Sequence, residues 1–408
     1  MADVQPFRGI LPAADKAAEV AAPPYDVMDR QEAVEMVAGK PLSFLRVTRS
    51  EVELPENVDV HDEQVYKKAR ETYARLKQTV PFTRDEAPEY YIYSLTMNGH
   101  RQTGIVATPT VDDYDNDVIK KHEHTRPEKE DDRTRHIVTV GAQTGPVFLT
   151  YRDRHDLDQL TERVTAGDPL FDFTADDGIS HTVWRAPREL VEPIRQAFAA
   201  TPDLYIADGH HRAASASRAR AEKRHGNSKE TGDEDYNRFL CVIFPASQLQ
   251  ILPYNRVVKD LNGMTAEALR ERIAQRLAIT PAEEPEPERP ATFHMYLGGR
   301  WWKLACQGNL DNLSVVDRLD VSLLQNNVLQ PLLGIGDPRT DDRIDFVGGI
   351  RGTGELEKRV DRDGGVAFAM YPTTVEQLMA ISDENAIMPP KSTWFEPKLR
   401  DGLVVHEI

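Results

Sequence analysis

The sequence predicts an α/β (α+β) fold in which helices and strands alternate along most of the chain. Three observations lead to this prediction. Amphipathic helical segments alternate with short apolar runs over 111–260, an Asn-Gly pair joins two β-rich runs, and a strand leads directly into a helix at 204–224. Such alternation is typical of layered cores that combine helices with a sheet. With 408 residues, the chain has the length of two or three domains, since domains usually contain roughly 100–200 residues.

The first predicted region, 1–110, has α+β character. Asn98-Gly99 between two β-rich runs is a strong hairpin signal, because the turn needs residues that tolerate positive φ. The apolar residues from Val65 to Leu76 recur at spacings of three and four, as on one face of a helix. Helices are expected at 30–38 and 61–77, and strands at 41–48, 90–95 and 102–109.

The second predicted region, 111–260, is expected to form the catalytic core, and the third, 261–408, an α+β region that completes the site. A Pro/Glu-rich loop at 281–290 has the composition of a linker. In the second region helices are expected at 125–140, 156–166, 187–200 and 210–224, with strands at 147–151, 181–185, 204–207 and 238–245. In the third, helices are expected at 265–277, 321–333 and 373–381, with strands at 291–297 and 300–306.

Composition excludes several classes of protein. The net charge of −17 argues against broad nucleic-acid binding, which depends on a cationic surface, but it allows a local cationic pocket for a phosphorylated small molecule. Two cysteines, Cys241 and Cys306, suggest a reducing compartment without disulfides. The N-terminus lacks the apolar segment of a signal peptide, and no apolar run approaches the roughly 20 residues of a membrane span. We therefore expect a cytoplasmic protein with neither membrane nor nucleic-acid partners; the oligomeric state is not indicated.

The strongest chemical signal is the predicted strand-turn-helix that contains Asp208-Gly209-His210-His211-Arg212. Glycine permits a sharp turn and close approach of a ligand, and the following helix N-terminus presents free N–H groups to an anion. The Arg212 guanidinium fits phosphate, while Asp208 and His210 could hold a metal ion. The alternative is an ordinary capped helix with solvated histidines. We favour a binding site, because so many ionisable groups are costly to hold together with nothing bound.

A second charged cluster, residues 118–136, leads into the next predicted helix. Thr125 and Glu128 have the spacing of a capping box, and Pro127 suits the first helical turn. His122 and Glu123 lie just before this point. A carboxylate beside cationic groups stays ionised at neutral pH and could accept a proton from a substrate hydroxyl.

The same helix is expected to carry a cationic stripe. Arg126, Lys129, Arg133 and His136 are separated by three and four residues and so share one face. This stripe could bind phosphate. The alternative is a solvent-facing helix laced with salt bridges, which is what runs of charge usually form.

Three further segments give weaker signals. Tyr25 and Asp26 lie in the proline-rich loop 22–28, which could be a structural turn or a substrate-binding loop. Lys391-Ser392-Thr393 could hold phosphate oxygens, or could belong to an ordinary polar loop beside a strand. The glycine-rich segment 346–354 lacks the Lys-Ser/Thr ending of a Walker loop and the spacing of a dinucleotide fingerprint.

Five motifs are distributed along nearly the whole chain. They are Pro6-Phe-Arg-Gly, Ala22-Pro-Pro-Tyr-Asp-Val-Met, Lys120-Lys-His-Glu-His-Thr-Arg-Pro, Ile206-Ala-Asp-Gly-His-His-Arg and Pro389-Pro-Lys-Ser-Thr-Trp-Phe. Together they resemble a known prokaryotic family, the domain-of-unknown-function family "ten-fifteen". The resemblance itself implies little about function.

A partial resemblance is more informative. His122-Glu123 followed by Asp208-Gly209-His210-His211-Arg212 is similar to the motif pair of archaeal free-serine kinases of the ParB/sulfiredoxin-like superfamily. The resemblance implies a ParB/sulfiredoxin-like core with large insertions. It also implies that Glu123 is the base toward a serine hydroxyl, and that the Asp208–Arg212 turn binds donor phosphates and Mg²⁺. About 85 residues separate the two motifs here, more than in the compact kinases, so this chain carries an insertion between them.

Together these observations predict a small-molecule kinase that phosphorylates a hydroxyl, with free L-serine as the leading acceptor. Phosphoryl transfer needs cations at the transferred group and a base at the hydroxyl, and the two clusters supply both. The donor could be ATP, ADP or pyrophosphate, since no adenine-recognition signature is present. The alternatives are a ParB-like nucleotide-binding switch without kinase activity and a phosphoester hydrolase that uses the same pocket.

Overall fold

The computed structural model describes residues 1–408, in which helices and strands alternate. The helices are α1 Ala17–Val20, α2 Arg30–Val37, α3 Leu45–Thr48, α4 Glu63–Thr79, α5 Val111–Asp115, α6 Pro127–Val140, α7 His155–Thr165, α8 Arg188–Ala199, α9 His210–Gly226, α10 Ala266–Ala274, α11 Asp320–Leu324, α12 Gly354–Asp363 and α13 Val375–Asp383. The predicted mixed α/β class is confirmed. None of these helices combines the length and apolar character needed to cross a bilayer.

The strands are mostly short. They are β1 Val4–Gln5, β2 Ile10–Leu11, β3 Thr83–Arg84, β4 Tyr91–Met97, β5 His100–Pro109, β6 Ile119–Lys120, β7 Ala142–Gln143, β8 Val147–Tyr151, β9 Phe171–Thr174, β10 Ser180–Arg185, β11 Leu204–Asp208, β12 Cys241–Pro245, β13 Gln250–Leu252, β14 Tyr254–Val258, β15 Ala278–Pro281, β16 Thr292–Leu297, β17 Arg300–Ala305, β18 Ile344–Gly348, β19 Val366–Met370, β20 Trp394–Glu396 and β21 His406–Glu407.

The chain forms two compact units, whose division differs from the three predicted regions. The first unit contains Met1–Leu249 and Pro397–Ile408, and the second contains Gln250–Glu396. Residue 110 is no boundary, because β5 before it pairs with β12 after it in one sheet. The last residues rejoin the first unit, where β21 pairs with β7.

The first unit is built on a mixed nine-stranded sheet with the order β6-β11-β8-β12-β5-β4-β10-β9, and β1 pairs with β5. The β4–β5 hairpin turns at Asn98-Gly99, as predicted, with both residues at positive φ. β11 is flanked by parallel β6 and antiparallel β8. Its apolar residues from Leu204 to Ala207 are buried. β11 therefore ends at a fixed point of the core, where its last residue, Asp208, reaches the start of α9.

The second unit contains an antiparallel six-stranded sheet with the order β15-β17-β16-β19-β14-β18, together with the two-stranded pair β13-β20. Its core includes Val257, Val347 and Ala367 from this sheet and Leu356 from α12. The sequence did not predict β14, β18, β19 or α12. The predicted helix 321–333 is instead α11 followed by a π-helical turn, Gln325–Leu329.

One predicted strand is wrong. Residues 41–48 were expected to be extended, but Leu45–Thr48 form a helical turn. Phe44, Leu45 and Val47 are buried in one cluster, and the Phe44 ring packs edge-on against Tyr73 with 6.0 Å between ring centroids. A short apolar run fits either a strand or a buried helical turn, and packing against α4 decided between them.

Candidate functional site

The Asp208–Arg212 turn is an uncapped helix N-terminus, as the sequence predicted. Gly209 has φ +98°, and α9 begins at the next residue, His210. The N-cap residue, Gly209, has no side chain that could accept a hydrogen bond from the first N–H groups of α9. Free N–H groups and the positive end of the helix dipole make this point suitable for an anion.

Gly209 also lets Arg212 fold back against the turn. A Cβ atom at residue 209 would lie 3.2 Å from both Cζ and Nε of Arg212. Any other residue would meet this contact as well as the cost of a left-handed backbone. The glycine is therefore needed for both the turn and the position of the guanidinium.

Arg212 is held by three elements of the first unit. Its side chain is 9 % exposed. Nη1 donates to the carbonyl oxygen of Pro146, and Nη2 lies 3.4 Å from the Asp26 carboxylate and 3.8 Å from that of Asp208. Its Nε is buried and has no protein acceptor. The guanidinium is thus fixed, and nearby carboxylates raise its pKa despite burial.

Asp208 is ionised and bound to a lysine that the sequence analysis did not single out. Lys398 Nζ donates to Asp208 Oδ2 at 2.9 Å. Burial raises the pKa of Asp208, but Lys398 and Arg212 outweigh burial and hold it well below its usual range. The only sequence signal for Lys398 was its place at the end of the proline-rich segment near the C-terminus.

The two predicted clusters meet at His210. Its Nε2 accepts a hydrogen bond from the backbone N–H of His122 at 3.3 Å. Burial lowers the pKa of His210 well below its ordinary value, so the ring is neutral and its proton resides on Nδ1. Nδ1 lies 3.9 Å from Glu123 Oε2, and the Glu123 side chain is 45 % exposed. The contact therefore joins a neutral histidine to a solvent-accessible carboxylate.

His122 lies beneath this contact. Its ring packs edge-on against that of His210, with 4.3 Å between centroids. His122 is buried, and its Nδ1 has no partner. Burial lowers the pKa of His122 to about 4, so it is neutral at pH 7. Its position supports the segment that carries Glu123.

The start of α6 approaches the same turn, although not with the predicted cap. The N-cap residue is Arg126, with no side-chain hydrogen bond, while the Thr125 hydroxyl donates to the Glu130 carboxylate. The predicted Thr125–Glu128 capping box is therefore wrong. The Arg126 backbone N–H donates to Nε2 of His211 at 3.1 Å. This bond ties the start of α6 to the first turn of α9.

The predicted cationic stripe of α6 is divided between solvent and interior. Arg126 is 62 % exposed, and Lys129 is half-buried. Arg133 instead lies over the Tyr25 ring, 4.1 Å from its centroid, and pairs with Asp132 at 2.7 Å. His136 is buried against the Val47 carbonyl oxygen. The phosphate-binding roles of Arg126, Lys129 and Arg133 remain predictions.

Tyr25 and Asp26 lie near Arg212. Tyr25, Arg133, Arg212 and Asp401 contribute to the lining of an internal cavity of about 30 Å³. Asp401 was not found from the sequence. It is 1 % exposed, and burial raises the pKa of its carboxyl to about 8.

Lys391, Ser392 and Thr393 lie in the second unit. The Ser392 hydroxyl donates to the Pro389 carbonyl oxygen at 2.6 Å, and the Lys391 Nζ lies 5.5 Å from the Tyr254 ring centroid. These contacts fix the loop locally. Their predicted role in phosphate binding is untested.

The predicted metal site, Asp208 with His210, is not supported by its donor atoms. No group of three or more His, Cys, Asp or Glu side chains with metal-binding geometry occurs in the chain. Asp208 is paired with Lys398, and the two nitrogens of His210 face His122 and Glu123. Mg²⁺ prefers oxygen ligands in octahedral geometry. The side chains alone do not fit a magnesium site.

The fold and site define a mixed α/β protein in which a helix begins at a glycine turn beside an exposed carboxylate. The chain belongs to the family described as "Protein of unknown function (DUF1015)", whose model matches residues 4–322. A comparison with curated protein sequences finds no match.

Among solved structures, a free serine kinase in complex with AMP is similar to this chain at 14 % identity and a TM-score of 0.36, over 72 % of this chain and 86 % of that one. SbnI with C-terminal truncation from Staphylococcus aureus is similar at 14 % identity and a TM-score of 0.37, over 71 % of this chain and 82 % of that one. A conserved hypothetical protein from Pyrococcus furiosus is similar at 13 % identity and a TM-score of 0.34, over 73 % of this chain and 94 % of that one. Likenesses this weak carry no argument about function.

Proposed function

We propose that this protein is a small-molecule kinase that transfers a phosphoryl group to a hydroxyl, with free L-serine as acceptor. The observation that carries the proposal is the position of Glu123. Its carboxylate, 45 % exposed, lies 3.9 Å from the first residue of an uncapped helix. A base and an anion-binding helix N-terminus in one site are the parts that phosphoryl transfer to a hydroxyl requires.

Glu123 acts as the general base in this proposal. It removes the proton from the substrate hydroxyl as the oxygen attacks the terminal phosphorus. The new O–P bond forms while the bond to the leaving group of the donor breaks, and that group departs with the electron pair. The Nδ1–H of His210 faces Glu123 and orients its carboxylate.

The donor phosphates would bind at the N–H groups of Gly209, His210 and His211. Arg126, which is exposed at the start of α6, adds positive charge there. The buried Arg212 side chain stabilises the conformation of the turn. ATP, ADP and pyrophosphate all carry the required phosphates. Mg²⁺ would bind largely through phosphate oxygens, because Asp208 is already neutralised by Lys398.

Asp26 and Tyr25 are the proposed contacts for the acceptor. The Asp26 carboxylate is 38 % exposed and anchored on one side by Arg212. An ionised carboxylate at this position suits the ammonium group of an amino acid. Thr125, whose hydroxyl is held by Glu130, lies beside Glu123 in the chain and completes the proposed acceptor contacts.

The test is to incubate the full chain with Mg²⁺, L-serine and, separately, ATP, ADP or pyrophosphate, and to detect O-phosphoserine by mass spectrometry. Glu123→Gln should lower turnover by about 10²–10⁴-fold without changing the circular dichroism spectrum. The matched control is Glu128→Gln, because Glu128 is a 63 % exposed glutamate near the start of α6.

Full activity in Glu123→Gln would exclude the assignment of the base. If no donor yields a product although nucleotide binds, the nucleotide-binding switch replaces the kinase. Release of phosphate from O-phosphoserine without transfer would instead identify a phosphoester hydrolase.

A further inference from the structure

The second unit contains a cavity of about 220 Å³ in which apolar side chains surround one buried arginine. The lining includes Val321 and Leu329 near the π-helical turn, and Ile344 and Phe346 from β18. Arg256, on β14, is 3 % exposed and lines the same cavity. None of the residues that line the cavity has a role in the proposed kinase reaction.

Arg256 differs from the other well-buried arginines in having no carboxylate partner. Arg212, Arg220 and Arg400 each pair with an aspartate. The guanidinium of Arg256 contacts backbone carbonyl oxygens and the Phe346 ring instead. A buried cation without a counter-ion is costly, so this position is unfavourable unless something compensates it.

Most of the hydrogen-bonding capacity of Arg256 is unused. Nη1 donates to the carbonyl oxygen of Tyr254, and Nη2 donates to that of Lys391 at 3.0 Å. A guanidinium has five N–H groups, so three have no protein acceptor. The Phe346 ring, whose centroid is 5.4 Å from the guanidinium carbon, gives partial compensation. Burial lowers the pKa of Arg256 to about 10, which leaves the group charged at neutral pH.

Gln325 contributes a second unsatisfied polar atom to this cavity. Its Nε2 donates to the carbonyl oxygens of Ile335 and Gly336, which fixes the amide. Its Oε1 is buried and has no partner. Gln325 begins the π-helical turn, a form of helix that is rare and often found at functional sites.

We propose that this cavity binds a small monocarboxylate with an apolar body, whose carboxylate pairs with Arg256. One unpaired buried cation is neutralised by one negative charge, whereas a phosphate monoester carries about −1.5 to −2 at pH 7. The planar guanidinium also matches a carboxylate. Asp337, which lines the cavity, does not neutralise Arg256, because its carboxylate is engaged by both Nε and Nη2 of Arg339.

The cavity volume limits the size of the ligand. About 220 Å³ corresponds to about seven water molecules at ~30 Å³ each. Isovalerate has about that number of non-hydrogen atoms, and its branched chain suits the apolar lining. Isovaleramide has the same shape without the charge, so the two molecules together separate charge recognition from apolar filling.

The experiment measures thermal unfolding of the full chain with isovalerate, isovaleramide or inorganic phosphate. A ligand that binds only the folded state raises Tm as its concentration exceeds Kd. We expect a concentration-dependent rise with isovalerate and none with isovaleramide. Any rise with inorganic phosphate should arise at the start of α9 and should therefore persist in Arg256→Met. No rise with isovalerate, an equal rise with isovaleramide, or a rise with inorganic phosphate that Arg256→Met abolishes would overturn the proposal.

Two variants locate the effect. Arg256→Met removes the charge, and exchange of a buried charge for an apolar group of similar size is often tolerated. Gly336→Leu fills the cavity from its exposed rim, where an added Cβ meets no atom within 4 Å. Both should abolish the isovalerate-dependent rise, while Arg339→Met, which changes a 58 % exposed side chain, should keep it. A rise that persists in either cavity variant would exclude this binding site.

Discussion

Replacement of Gly209 by alanine tests the turn on which the proposed function depends. Residue 209 has φ +98°, and a Cβ atom there would lie 3.2 Å from the Arg212 guanidinium. A left-handed backbone costs a non-glycine residue roughly 1–2 kcal/mol. The contact with Arg212 is closer than ordinary van der Waals distance. Since Arg212 is already bound to Pro146 and Asp26, we expect the start of α9 to shift rather than the arginine alone.

Gly178 provides the matched control. It has φ +80°, and an added Cβ meets no atom within 4 Å. Gly178→Ala therefore carries the same backbone cost without a contact at the site. The backbone cost alone should be about 1–2 kcal/mol in each variant, which lowers Tm by roughly 2–8 °C in a unit of this size.

The effect of pyrophosphate on Tm distinguishes Gly209→Ala from Gly178→Ala. In thermal unfolding with increasing pyrophosphate, the wild-type protein and Gly178→Ala should show the same rise in Tm, because binding to the folded state stabilises it. Gly209→Ala should lose most of this rise. If Gly209→Ala retains the full pyrophosphate effect, the turn does not bind phosphate in the way proposed here.

Three further predictions follow from the first unit. Lys398→Met should destabilise the protein by about 1.5–3 kcal/mol, because it removes a charge-assisted hydrogen bond from Asp208. In urea unfolding, the double variant Lys398→Met with Asp208→Asn should recover part of this lost stability. If it recovers none, the two residues are not coupled. Burial lowers the pKa of His136 to about 4, below its unfolded value of about 6.5, so the unfolded chain binds the proton first and stability falls as pH drops from about 6.5 to 4. His136→Gln removes this titrating group and should reduce the loss of stability at low pH by roughly 3 kcal/mol. Identical pH profiles of urea unfolding for the wild-type protein and His136→Gln would contradict the lowered pKa of His136. Phe198→Ala should cost about 3–5 kcal/mol, since Phe198 is fully buried in the sheet core; a loss below about 1 kcal/mol would show that its contacts are not needed.

Local sequence patterns determined much of the first unit. The Asn98-Gly99 turn and the strand-turn-helix through Gly209 could be predicted because each depends on backbone preferences of a few adjacent residues. The same applies to the placement of Glu123 just before a helix. The helical turn Leu45–Thr48 could not be predicted in this way, since its apolar residues fit two conformations and contacts with α4 selected one.

The partners of the site residues were decided only by tertiary structure. Lys398 is 190 residues from Asp208 in the chain, and Asp26 is 186 residues from Arg212. Spacing along a helix correctly placed Arg133 and His136 on one face, but it carries no information on whether that face meets solvent or another element. That face is buried by segments that are distant in sequence. The same is true of Arg256, which is buried without a counter-ion. The sequence by itself thus determined which groups are available for chemistry. The fold decided which of these groups are neutralised, which are buried and which remain accessible, because charge compensation and desolvation depend on neighbours in space.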